Sequence, residues 1–330
     1  MKNIKRIYRF IKRYSNDYWN SRELAIKQYN CSFGNFNNYA DKVPIKKHWL
    51  YQFIVAKNYL NNKRHSISLF SVHGDRWAIK INRSKYKIFY TLENVHVKDS
   101  YWQKYEDLLL CDENIDLSLG FDYLEHNKYL RFPYWLMTVF EPTETYETIK
   151  KKCELINNTT LDQDKKNKFC SFICRNDYFG DRKYFFELIN SIDKVSCPGL
   201  FMHNDDELKI LYKDNKRTYL RNFKFNLCPE NSNSEGYVTE KIFDSILAGC
   251  IPIYWGSNNN PEPNIINQNK ILFLNLKEDN SVVLEKIKNL WNDSDTYQSF
   301  ISQPPLLENA AEEIYNHFKR LDDFLRKTIK

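Results

Sequence analysis

Two adjacent residues of opposite charge, Glu240 and Lys241, stand where a polar loop gives way to an apolar periodic run. The run 223–231 (FKFNLCPEN) precedes them, residues 236–242 (GYVTEKI) contain them, and 251–257 (IPIYWGS) closes the segment. The order reads as strand, loop, helix, strand. Val238, Ile242 and Ile246 recur every fourth residue on one stripe, and Gly249 is placed to stop the helix before a β-rich run. A loop entering a helix N-terminus offers free backbone N–H groups and the positive end of the helix dipole to a phosphate. Lys241 adds a point charge there, and Glu240 brings two acceptor oxygens suited to a ribose diol. Taken alone, the two residues read better as a solvated Glu-Lys pair on an amphipathic helix that covers a sheet.

The ordered set of runs resembles the signature of the α-1,3/1,4-fucosyltransferases, glycosyltransferase family 10. The likeness continues through Ser71-Val72-His73-Gly74, Tyr90 to Asn94 (YTLEN), Leu119 to Asp122 (LGFD), Tyr129 to Trp135 (YLRFPYW) and Cys174-Arg175-Asn176 to Arg182, spanning roughly residues 65–300. The resemblance implies a fold of two Rossmann-like α/β domains facing a cleft, the GT-B architecture. It also implies an inverting transfer of L-fucose from GDP-β-L-fucose to a hydroxyl, O3 of N-acetylglucosamine in a glycan acceptor. Glu93, after the strand expected at 88–92, matches the family's proposed general base, with Leu92 in place of a smaller residue. Arg182 resembles the arginine on the donor diphosphate, where a guanidinium bridges two phosphate oxygens as a lysine cannot. By the same carry-over Lys241 holds the other side of the diphosphate and Glu240 the ribose. Tyr237 lies against the nucleotide, and Asn231 faces the diphosphate or the fucose. Another GDP-sugar transferase of the same fold, or an inactive glycan-binding protein, would keep much of this pattern.

The resemblance implies no tightly bound cofactor: in the resembling family Arg and Lys take the place of a metal on the diphosphate, and added divalent cations have at most a stimulating role. Asn204-Asp205-Asp206-Glu207 is the one acidic cluster that tempts a metal reading, and it reads as a helix cap with first-turn acids. Cys170 and Cys174 fall in an apolar strand-like run without a second Cys/His pair at zinc spacing. The remaining cysteines are scattered, so reduced thiols are the expectation. Gly-x-Gly-x-x-Gly and Walker sequences are absent.

The elements that must position these residues are those of a large folded chain. At 330 residues, with 42% hydrophobic and 16% aromatic residues, it exceeds what one core organises. Short apolar runs at 67–72, 88–92, 115–119 and 129–133 alternate with helical ones and predict a parallel sheet. Residues 1–145 are assigned to an acceptor-side domain carrying Glu93, and 146–168 to a linker without sustained apolar period. Residues 169–305 form the donor domain. Residues 306–330 form an amphipathic helix with Ile314, Phe318, Leu321 and Leu325 on one face.

A formal charge of +7 suits an anionic donor or an acidic membrane surface, and no basic block with interleaved aromatics points to nucleic acid. Residues 1–13 carry six basic side chains, no acid, and Ile4, Ile7, Tyr8 and Ile11 at helical spacing. This segment reads either as a peripheral anchor on an anionic leaflet or as a helix docked on the first domain. With no apolar stretch long enough for a signal or a span, the expected location is cytoplasmic.

Overall fold

The computed structural model describes residues 31–32, 48–57, 67–72, 76–109, 113–158 and 166–329. The basic segment 1–13 and the residues His73 and Gly74 lie outside them. The chain divides into two compact units, residues 1–144 with 316–330, and residues 145–315.

Unit 1 is built on a sheet of five parallel strands in the order β1-β2-β3-β4-β5: Cys31–Ser32, Ile67–Ser71, Tyr86–Tyr90, Leu117–Gly120 and Tyr129–Arg131. Its helices are α1 (Trp49–Ala56), α2 (Arg76–Ile81) and α3 (Tyr134–Val139). Every residue of β2, β4 and β5 is buried, as expected of parallel strands covered on both faces. Phe70, Phe89, Tyr105, Leu108 and Tyr129 make one core cluster of this unit.

Unit 2 holds helices α4 (Tyr146–Asn157), α5 (Asp181–Asn190), α6 (Glu207–Ile210), α7 (Lys216–Leu220), α8 (Glu240–Leu247), α9 (Ser281–Asn292) and α10 (Ser294–Ile301). Its strands are β6 (Lys168–Ser171), β7 (Val195–Ser196), β8 (Phe223–Leu227), β9 (Ile251–Tyr254) and β10 (Leu272–Phe273), all parallel in the order β10-β9-β8-β6-β7. The chain leaves β6 toward β7 on one side and returns to β8 on the other. The strand order therefore reverses between β6 and β8, and ligands of open α/β sheets bind at the carboxyl ends of strands at such a switch point.

Two domain expectations are corrected. The stretch 146–168 is not a linker: Thr145 caps α4 by a reciprocal box with Thr148, and Ile149, Cys153 and Ile156 bury one face. Asn157 then exchanges two hydrogen bonds with the backbone of Leu306, at 2.9 and 3.1 Å, which ties α4 into unit 2. The C-terminal helix α11 (Ala310–Thr328) is not a separate element either. From residue 316 it belongs to unit 1, because Phe318 packs its ring against Trp49, Phe53, Phe132 and Phe140. Among the described residues no helix is long and apolar enough to cross a membrane.

Candidate donor-binding site

A pocket of about 250 Å³ opens at the carboxyl ends of β6 and β8. Its walls come from residues 172–176 after β6, 226–229 and Asn231 at the end of β8, Arg182 of α5, Lys216 and Leu220 of α7, and Glu240, Lys241 and Asp244 of α8. This is the switch point that the topology marks. A larger concavity of about 1010 Å³ lies along α9 and α10, but Lys286 is the only cation in its lining. Charged groups converge in the smaller one.

Helix α8 is fixed at both ends. Ile242, Phe243 and Ile246 are buried, and the C-terminus closes with Gly249 N–H on the Ile246 carbonyl at 3.0 Å and Cys250 N–H on the Ser245 carbonyl at 2.9 Å. This double closure needs a left-handed residue, and Gly249 supplies it at φ 70°. The N-terminus departs from expectation. Glu230, fully buried, turns its carboxylate onto it: Oε1 accepts from Thr239 N–H at 2.7 Å, and Oε2 from the Thr239 hydroxyl at 2.7 Å and Lys241 Nζ at 2.9 Å. The Tyr254 hydroxyl donates to Oε1 at 3.4 Å. One backbone N–H at the start of α8 is thus taken by an internal carboxylate rather than left for a ligand.

Lys241 also donates to the Thr239 hydroxyl at 2.8 Å. Burial alone would favour its neutral form, but Glu230 and Glu240 beside it more than offset that, and its pKa is raised. Burial pushes the Glu240 carboxyl up, whereas Lys241, its own backbone N–H, Lys216 and Thr239 together hold it below the ordinary carboxylate range. Asp244, one turn further on, receives Arg217 Nε at 2.8 Å.

Arg182 is nine-tenths buried on α5, whose first turn is capped by the Asp177 carboxylate through the backbone N–H groups of Arg182 and Lys183. Its guanidinium donates to the Asn176 carbonyl at 2.8 Å and to Asn231 Oδ1. Both acceptors are neutral, and among the described residues Arg182 has no carboxylate partner at ion-pair distance. A buried cation held by neutral oxygens is a strong anion acceptor, because its desolvation is not offset by a protein charge.

The pocket thus brings together Arg182, Asn231, Glu240 and Lys241. Tyr237 is buried outside its lining, so its ring is not a wall of the pocket in this arrangement. Glu93 belongs to unit 1. Thr91 forms a turn there: its hydroxyl donates to the Glu93 carbonyl at 2.6 Å and accepts the Glu93 N–H at 3.2 Å, so the turn closes with Leu92 in place. The loop is anchored further by His96, whose ring nitrogens lie 2.7 Å from Glu106 and 2.8 Å from Asp122. The hydrogen bond to Asp122 is the main reason that His96 is pushed up to about 9.

Sequence reasoning missed Glu230, Lys216, Asp244, Asn176, Asn226 and His96. Glu230 lay inside a quoted run, but no periodicity separates a buried carboxylate after a strand from an exposed one. Asp205, of the acidic cluster, has both oxygens engaged in structure, by Glu207 N–H at 2.8 Å and the Tyr219 hydroxyl at 2.6 Å. Cys170 and Cys174 are buried free thiols, both pushed up by burial. Among the described residues no group of three or more His, Cys, Asp or Glu is arranged to hold a metal.

Comparison with known proteins places this geometry. Residues 161–303 match the C-terminal family model of glycosyltransferase family 10 (fucosyltransferase), and residues 34–138 match the N-terminal domain model of the α-(1,3)-fucosyltransferase FucT. The Helicobacter pylori α-(1,3)-fucosyltransferase FucT is 28% identical over 255 residues, covering 65% of this chain and 49% of that protein. The Drosophila melanogaster α-(1,3)-fucosyltransferase B is 28% identical over 123 residues, 34% of this chain and 27% of that protein. The chain therefore spans about half, or less, of the length of these relatives. A crystal structure of an α1,3-fucosyltransferase superposes with a TM-score of 0.58 at 22% identity, covering 89% of each chain. A structure of an α1,3-fucosyltransferase with GDP-fucose gives 0.54 at 22% identity, over 87% of this chain and 88% of that one. Two all-parallel Rossmann-like units, matched in turn by the N-terminal and C-terminal models of one family and by its fold, make this chain a GT-B protein belonging to glycosyltransferase family 10, the fucosyltransferases.

Proposed function

We propose that the protein transfers L-fucose from GDP-β-L-fucose to a glycan hydroxyl, O3 of N-acetylglucosamine, with inversion to the α-fucoside. The observation that carries this reading is the buried Arg182 guanidinium, which has no carboxylate partner among the described residues and lines one pocket at the sheet's switch point with Lys241. A diphosphate supplies the negative charge that Arg182 lacks. Glu240, kept ionised beside Lys241, is suited to accept the two ribose hydroxyls. A pocket of about 250 Å³ suits the diphosphate and ribose better than an oligosaccharide.

In the reaction the acceptor oxygen attacks the anomeric carbon as the bond to the phosphate oxygen breaks. Glu93 takes the hydroxyl proton, and GDP departs with the bonding electron pair. Arg182 and Lys241 bind most strongly in the transition state, where negative charge grows on the leaving phosphate. Asn231 is assigned to the diphosphate or fucose side, and Tyr237 to support of the loop before α8 rather than to a stacking surface. The basic segment 1–13 extends the reading to contact with an anionic leaflet. The test is GDP release from GDP-fucose, and from GDP-mannose as a control donor, with type 1 and type 2 disaccharide acceptors. Turnover with GDP-fucose and an N-acetylglucosamine-containing acceptor supports the reading, and turnover with GDP-mannose alone overturns it.

A further inference from the structure

The fully buried carboxylate of Glu230 is a charged group of unit 2 that the proposed mechanism leaves without a task. It sits three residues past the end of β8, its backbone N–H bonded to the Trp255 carbonyl at 2.8 Å. A space has been made for it. A Cβ at Gly256 would lie 2.7 Å from Glu230 Cγ, so the residue after Trp255 accommodates the stem of Glu230 only as glycine.

The consequence falls on Lys241. An ammonium has three N–H donors. Two are held, by Glu230 Oε2 at 2.9 Å and by the Thr239 hydroxyl at 2.8 Å, and Thr239 is itself held through both its N–H and its hydroxyl by the same carboxylate. A free lysine side chain ordinarily loses rotamer freedom when it enters a complex. Here that freedom is already removed, the charge is kept, and one donor is left for the pocket that Lys241 lines. Resting on the donor-site reading above, we infer that Glu230 is a positioning residue: through Thr239 it fixes the Lys241 ammonium so that its remaining donor meets the leaving phosphate of a nucleoside diphosphate.

Glutamine at 230 keeps the shape but places an NH₂ among donors from Thr239 and Lys241, so Lys241 loses both its anchor and its counter-charge. The groups left facing it are Glu240 and Asp244 on its own helix, Arg182 on α5, Lys216 on α7, and the thiols Cys174 and Cys228. Of these, Glu240 favours the charged amine and Arg182 the neutral one, and with the Glu230 counter-charge gone burial weighs more heavily toward the neutral amine.

The test is calorimetry of the full chain with GDP and with GMP, from about pH 7 to about pH 10, just below the ordinary lysine pKa of roughly 10.4. Wild type should bind GDP with little change across this range. Glu230→Gln should bind GDP about 10-fold more weakly at the lower end and progressively more weakly as pH rises, with GMP affected less than about 2-fold throughout. In a Lys241→Met background the Glu230→Gln loss should vanish, because the two residues act as one unit. Should Glu230→Gln not fold, Thr239→Val removes the hydroxyl shared by the two residues and should give the same selective loss for GDP. Equal losses for GDP and GMP, or an undiminished loss in the Lys241→Met background, would overturn the positioning role alone. Wild type that binds neither nucleotide would overturn the donor-site reading itself.

Discussion

Gly256→Ala tests how tightly the site is built. The added methyl would lie 2.7 Å from Glu230 Cγ, 2.9 Å from Glu230 Cβ and 3.0 Å from the Tyr254 hydroxyl, at a backbone φ of 142°. The first two atoms belong to the root of the Glu230 side chain, so rotating its tip brings no relief. Relief requires moving the stem, which withdraws the carboxylate from Thr239, Lys241 and Tyr254. Overpacking of this kind costs about 1–3 kcal/mol, and the non-glycine residue at positive φ adds roughly 1–3 kcal/mol. Partial relaxation shares these terms, so the expected loss is about 2–4 kcal/mol, far above the ±0.5 kcal/mol usual for a surface substitution. Equilibrium urea unfolding of both proteins reads it as a lower midpoint at unchanged slope. A variant within about 0.5 kcal/mol of wild type would show that Glu230 has room to move, and the packing argument would fail.

Glu93→Gln should fold as wild type, because the turn at Thr91 bonds to the backbone of Glu93, and turnover should fall by about 10² to 10⁴. More than a tenth of wild-type turnover would remove Glu93 from the base role. His96 is pushed up to about 9, so its stabilising contribution is fully present below its unfolded pKa of about 6.5 and is lost as pH rises through about 9. The shift corresponds to an upper bound of about 3 kcal/mol, and exposure of 32% of the side chain brings it nearer to about 1 kcal/mol. His96→Gln should therefore unfold at lower temperature than wild type near pH 6 and match it near pH 10; a gap that widens with pH would contradict the clamp.

What the sequence made legible was local and periodic. Strand β8, helix α8 and the stop at Gly249 follow from buried runs, a four-residue stripe and one glycine, and all three stand in the structure. Helix α4 escaped notice because only Ile149, Cys153 and Ile156 face inward among polar neighbours, a stripe too sparse to read against its Thr and Lys background. The return of residues 316–330 to unit 1 depends on Phe318 meeting rings from distant segments, and no local pattern records such a contact. At the candidate site, Arg182, Asn231, Glu240 and Lys241 were named through motif resemblance, and the four line one pocket. Glu230 was not found, since its burial arises from Gly256, Thr239 and Tyr254 closing over it. Tyr237, expected against the nucleotide, is buried and outside the pocket lining, and its burial depends on tertiary packing that no local pattern records.

The central claim is that Arg182 and Lys241 form a diphosphate clamp. Calorimetric titration of wild type and Lys241→Ala with GDP and GMP tests it most directly, because the two nucleotides differ only by the β-phosphate. Loss of one charged hydrogen-bond partner is worth about 1.5–3 kcal/mol, so GDP should bind roughly 10- to 100-fold more weakly to the variant while GMP changes little. Equal losses for the two nucleotides, or a wild type that does not prefer GDP, would contradict the clamp.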